Sequence, residues 1–145
     1  MDSTLPPSLL NSLTLEYILL GDLRDLLEDT PDEQTGRWLT AVIDALLKTL
    51  PDEIAVQSRD GYLSEVLEEN PNWEPQVEHL RREKIALFLK LQELRNGIGQ
   101  PERYAAVAAQ VQVSLRDWMH AFTAHHRHER RIFQEAFTVD FGGGD

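Results

Sequence analysis

The sequence predicts an all-α protein, an antiparallel up-and-down four-helix bundle forming a single domain over residues 1–145. Three observations predict it. Apolar residues recur at the three- and four-residue spacing of amphipathic helices along most of the chain. Proline, glycine and asparagine gather between those stretches rather than inside them. Almost nothing alternates apolar and polar in the manner of a strand.

Residues 1–11 are expected as an N-terminal arm, and a first helix over about 12–29. Leu13, Tyr17, Leu20 and Leu27 mark one of its faces, with Glu16 and Leu23 beside it. Thr30-Pro31-Asp32-Glu33 has the form of a capping box with proline at the first helical position, and it opens the second helix. That helix carries Trp38, Val42, Ala45, Leu46 and Thr49 on one face and runs to about 69. Pro51 removes a backbone donor and crowds the preceding turn, so a kink or break is expected there. Asn70 to Pro75 is a turn-rich connector. The third helix, about 75–96, aligns Val77, Leu80, Lys84, Leu87, Leu91 and Leu94, and Gly97 and Gly99 stop it. Pro101 and Glu102 open the fourth helix, the longest, which meets no breaker before about Thr138. Residues 139–145 are expected as a flexible tail. Short connections between amphipathic helices favour antiparallel neighbours.

Hydrophobic residues make up 41% of the chain and charged residues 27%, as in ordinary globular domains. The net charge of −11 argues against nucleic acid and against an anionic membrane surface, since both need clustered cations. No apolar run reaches membrane-spanning length, and the first residues lack the basic and apolar regions of a signal peptide. A cytoplasmic location is expected. The absence of cysteine removes disulfides and thiolate metal sites, and agrees with that location. Nucleophilic catalysis finds no support: there is no cysteine, no Gly-x-Ser-x-Gly and no glycine-rich phosphate loop.

The informative positions are polar residues that interrupt apolar faces. On the fourth helix Leu115, Trp118, Phe122, His125, Glu129, Ile132 and Ala136 form one seam, which places an imidazole and a carboxylate four residues apart among apolar side chains. A buried charge must be paired or bound to a metal, so His125 and Glu129 are candidate metal ligands. Lys84 interrupts the third seam and Tyr17 the first, while Asp52 and Glu53 follow Pro51 on the second. Tyr17, Asp52, Lys84, His125 and Glu129 are expected to form a buried polar cluster. Glu53 is a further candidate ligand, and so are His79 and Glu83, which are also four apart but lie one residue off the Lys84 face.

The last helix, with AFTAHHRHERRIF, resembles the final helix of hemerythrin-like (HHE cation-binding) domains, whose His-x-x-x-Glu pair matches His125 and Glu129 and whose aliphatic–aromatic step matches Ile132 and Phe133. The likeness extends over about 12–137. It implies a four-helix bundle with a di-iron centre. Where the family carries Glu-His on the third helix, this chain has Glu83-Lys84, and where it carries Glu-His on the first, this chain has Glu16-Tyr17. Pro-His-x-x-x-Glu on the second helix is replaced by Pro51-Asp52 followed by Val56. The resemblance therefore implies a cation-binding bundle whose metal centre has degenerated into a polar cluster. On this reading the protein holds no cofactor and is not an enzyme, and Lys84 supplies the positive charge. Two other readings stay open. One is a metal-binding protein that senses oxygen or redox state through iron or another divalent ion. The other is a helical interaction module, a homodimer or the partner of another protein, with Trp73 as a docking aromatic.

Overall fold

The computed structural model describes residues 7–59, 67–68 and 71–143. Four long helices carry the fold, and there is no strand among the described residues: α1 (Pro7–Glu28), α2 (Glu33–Arg59), α3 (Glu74–Ile98) and α4 (Tyr104–Gly143). Single 3-10 turns at Pro71–Trp73 and Pro101–Arg103 lead into α3 and α4. No helix among the described residues is long and apolar enough to cross a membrane.

The boundaries depart from the sequence expectation in three places. Helix α1 already includes residues 7–11, so only 1–6 of the expected arm lie outside the described residues. Helix α4 continues through most of the expected tail, to Gly143. Pro51 sits inside α2, which continues to Arg59, so a break into two helices there is not what forms. The expected run to about 69 lies partly outside the described residues.

The start of α2 corrects the assignment of its cap. Asp32 Oδ1, rather than the Thr30 side chain, accepts the Thr35 backbone N–H at 2.8 Å. Thr35 Oγ1 donates to the Thr30 carbonyl at 2.8 Å, locking the preceding turn. Asp32 is therefore the N-cap, three residues before its partner. At the other end of the chain's helical order, Gly99 (φ +67°) ends α3 in the left-handed region.

Each helix lies beside its neighbours in sequence, and α1 also meets α4. Asp44 pairs with Arg95 (2.8 Å) while Glu53 pairs with Lys84, so α2 and α3 run in opposite directions. Trp118 Nε1 donates to the Leu87 carbonyl (2.8 Å) and Glu129 faces Lys84, so α3 and α4 do as well. Arg116 donates to the Leu27 carbonyl (3.1 Å) and His126 faces Glu16, which makes α4 antiparallel to α1. The core between them is built from Leu23, Leu39, Ile43, Leu46, Leu91, Leu115 and Phe122, all fully buried. Burial of this kind is the dominant stabilising term. Gly36 permits a close approach of α2 to the Pro101 turn at the end remote from the polar residues. A Cβ there would lie 2.5 Å from the Pro101 carbonyl oxygen and 2.8 Å from Tyr104 Cβ.

Candidate functional site

One layer of the bundle is polar. Glu16 from α1, Glu53 from α2, Lys84 from α3 and His125 and Glu129 from α4 are all buried. Each follows from the register of its helix. Glu16 precedes Leu19, Leu23 and Leu27 at three- and four-residue steps, and Glu53 follows Leu46 and Leu50 in the same way. Lys84 lies between Leu80 and Leu87, and His125 and Glu129 lie between Phe122 and Ile132.

Lys84 is at the centre. Its Nζ contacts Glu53 Oε1 and lies 3.3 Å from Glu129 Oε2, with all three side chains at 4% exposure or less. Burial works against the Lys84 charge, but Glu129 and Glu53 outweigh it and leave the ammonium more firmly protonated than an ordinary lysine. Burial also works against ionised Glu129. His125, followed by Lys84, overcomes it and holds that carboxyl at about 2. The result is a buried ion pair between neighbouring helices.

The carboxylates of α1 and α2 behave differently. Burial pushes Glu53 up to about 8, and the adjacent Glu16 carboxyl pushes the same way. Burial also raises Glu16, against the pull of Glu53 and Lys84. Both carboxyls are thus pushed toward the protonated form, opposite in direction to Glu129.

His125 is fixed in orientation. Its Nδ1 lies 2.6 Å from Glu83 Oε1. Its Nε2 points inward, 3.5 Å from Glu129 Oε2. His126, one residue on, packs edge-on against Phe122 (centroids 4.6 Å apart). Its Nε2 reaches within 2.9 Å of Glu16 Oε1. Burial lowers the His126 pKa, and Lys84 lowers it further.

The structure brings together Lys84, His125, Glu129 and Glu53, and it corrects two members of the expected cluster. Tyr17 is 81% exposed, and the buried residue of that helix turn is its neighbour Glu16. Asp52 is exposed, and Glu53 takes the inward position. In both cases a one-residue change of register turns the side chain by about 100°. Trp38, expected on the core face of α2, is exposed with Leu39 buried in its place, while Val42, Leu46 and Thr49 of that face are buried. His79 is exposed, 3.9 Å from Glu83 and tilted against His128. Glu83 is half-buried and joins the site through His125 rather than through His79 alone. Trp73 is half-buried. Side chains of Phe133 and Ala136 lie outside the described residues.

A di-iron centre of the kind the resemblance implies does not fit these residues. It needs imidazole and carboxylate donors converging from the helices. Here an ammonium without a lone pair stands between the carboxylates of α2 and α4. No family model, curated protein or solved structure matches the chain.

Proposed function

We propose that this chain is a hemerythrin-like bundle whose di-iron centre has been replaced by a buried ionic cluster organised on Lys84, and that it acts without catalysis. The observation that carries this reading is the position of Lys84. A buried ammonium joins carboxylates from α2 and α4 in the layer where His125 and Glu129, the pair shared with the family, point inward. In water-free surroundings a lone buried charge is costly, whereas an ammonium paired with Glu129 and hydrogen-bonded to the Glu53 carboxyl offsets that cost. The lysine thus does electrostatically what a cation would do, without offering coordination positions for oxygen. Arrangement of the cluster across neighbouring helices suits a register device, since a slipped helix would bury its charges unpaired.

Loading with ferrous iron under exclusion of air, followed by desalting and metal analysis, tests the reading. The expected result is fewer than two irons per chain and no oxygen-dependent change in visible absorption. Two irons per chain with an oxygen-dependent absorption band would replace this reading with the metal-dependent oxygen or redox sensor.

A further inference from the structure

The ion pair of Lys84 leaves one part of the layer unexplained. Three carboxylates are buried there, Glu16, Glu53 and Glu129, against one ammonium. If all are ionised, two negative charges remain. Five buried polar atoms also lack a hydrogen-bond partner among the described residues: both oxygens of Glu16, Oε2 of Glu53, and Nε2 of His125 and His126. Buried polar groups are rarely left in this state, and four of these five belong to one small group. Glu16, Glu53 and His126 each offer a ligand atom within 4.8 Å of the others.

We infer that Glu16, Glu53 and His126 form a mononuclear site for a first-row divalent cation, beside Lys84 and separate from the His125–Glu83 pair. Glu53 divides its two oxygens between roles. Its Oε1 holds the Lys84 ammonium and its Oε2 is left for the metal. His126 Nε2 and Glu16 Oε1 are 2.9 Å apart, yet the ring nitrogen is not aligned as an N–H donor toward that oxygen. Two atoms each bound about 2.1 Å from one metal at a right angle lie about 3 Å apart. The separation therefore suits shared ligands better than a misaligned hydrogen bond. One imidazole and two carboxylates suit the manganese-to-zinc series, and the imidazole disfavours calcium and magnesium. A divalent ion would cancel the two excess charges, with Lys84 still held between Glu53 Oε1 and Glu129 Oε2. Metal ligands bind in their deprotonated forms, so binding competes with protons. None of this depends on the family resemblance. The His79–Glu83–His128 group, with His79 exposed and the other two half-buried, has no comparable buried orphan atoms and serves as the control.

Cobalt(II) is the probe, added to the untagged full chain after chelator treatment, with visible absorption reading coordination and calorimetry in two buffers of different ionisation enthalpy reading proton release. One Co(II) per chain is expected, with protons released. Affinity should fall at least about tenfold in both Glu16→Gln and His126→Gln, as even outer-shell losses cost that much, and should be unchanged in His79→Ala. Circular dichroism checks that each variant folds. Should Glu16→Gln fail to fold, His126→Gln decides, since the His126 side chain keeps 24% exposure against 2% for Glu16. No saturable binding, binding unaffected by His126→Gln, or binding lost in His79→Ala would overturn the site. Absence of binding would leave the Lys84 cluster standing, whereas two ions per chain in the core would overturn both.

Discussion

Lys84 and Glu129, forty-five positions apart on neighbouring antiparallel helices, meet with Nζ 3.3 Å from Oε2 where almost no solvent reaches either side chain. Everything else in the polar layer is arranged around that pair and the second contact of Lys84 with Glu53.

Removing the ammonium should strand Glu129. Lys84→Ala is expected to destabilise the fold by about 3–5 kcal/mol, the usual cost of breaking a buried pair, read by urea denaturation. The double variant Lys84→Met with Glu129→Gln should recover part of that loss, because the unpaired charge is gone. A double variant no more stable than the single one would show that Glu129 is not held by Lys84.

The layer should also give the metal-free protein a characteristic pH dependence. Glu53, pushed up to about 8 by burial and Glu16, keeps its proton in the folded chain while the unfolded chain loses it near its ordinary value of 4.5. Stability therefore falls as pH rises from about 4.5 to 8, by up to about 1.4 kcal/mol per pH unit for that proton. Glu129 has the opposite sign. Held at about 2, it contributes stability above 4.5 that is lost as pH falls toward 2. Thermal melts of chelator-treated protein and of Glu53→Gln across pH 4 to 8 check the first effect. The variant should show the shallower decline, and identical slopes would contradict it.

How much of this the sequence carried depended on the residue type at each inward position. The third and fourth helices were legible because Lys84, His125 and Glu129 are embedded between large apolar residues on both sides, so the stripe admits one register. On α1 and α2 the inward polar residue has a polar or amphipathic neighbour. The sequence pattern points Tyr17 and Asp52 inward, yet the leucine ladders Leu19–Leu23–Leu27 and Leu46–Leu50 extend to Glu16 and Glu53. A carboxylate is assigned to solvent by default, and only its partner on another helix makes its burial tolerable. That partner is a tertiary fact. His126 is not legible in the sequence for a similar reason: it follows the seam residue His125 and reaches Glu16 only because α1 packs beside α4.

The correction at the start of α2 can be checked directly. Thr35 donates to Asp32, and that bond holds the Asp32 carboxyl below its usual range. Asp32→Ala should lower the melting temperature, while Asp32→Asn should retain most of it, because asparagine also caps. Equal melting of the alanine variant and the parent would remove Asp32 as the cap.

Gly36 offers a test of packing at the other end of the bundle. A methyl group there would clash with the Pro101 carbonyl and Tyr104. Gly36→Ala is expected to cost about 1–3 kcal/mol, the range for overpacking, without altering the polar layer. A stabilised variant, as alanine's helix propensity alone would give, would mean that α2 and the Pro101 turn are not in close contact.

The protonation state of Lys84 in the folded protein is the most direct test of the Lys84 account. The chain has two other lysines, Lys48 and Lys90, both exposed, so three ammonium signals are to be distinguished by nitrogen-detected nuclear magnetic resonance, with Lys84→Arg assigning the buried one. Lys84 is predicted to remain charged to above the ordinary lysine value of 10.5, or until the protein unfolds, with ammonium protons protected from solvent exchange and coupled through space to Glu129. A Lys84 amine that loses its proton below 10.5, or exchanges as freely as the exposed lysines, would contradict a buried ammonium at the centre of the bundle.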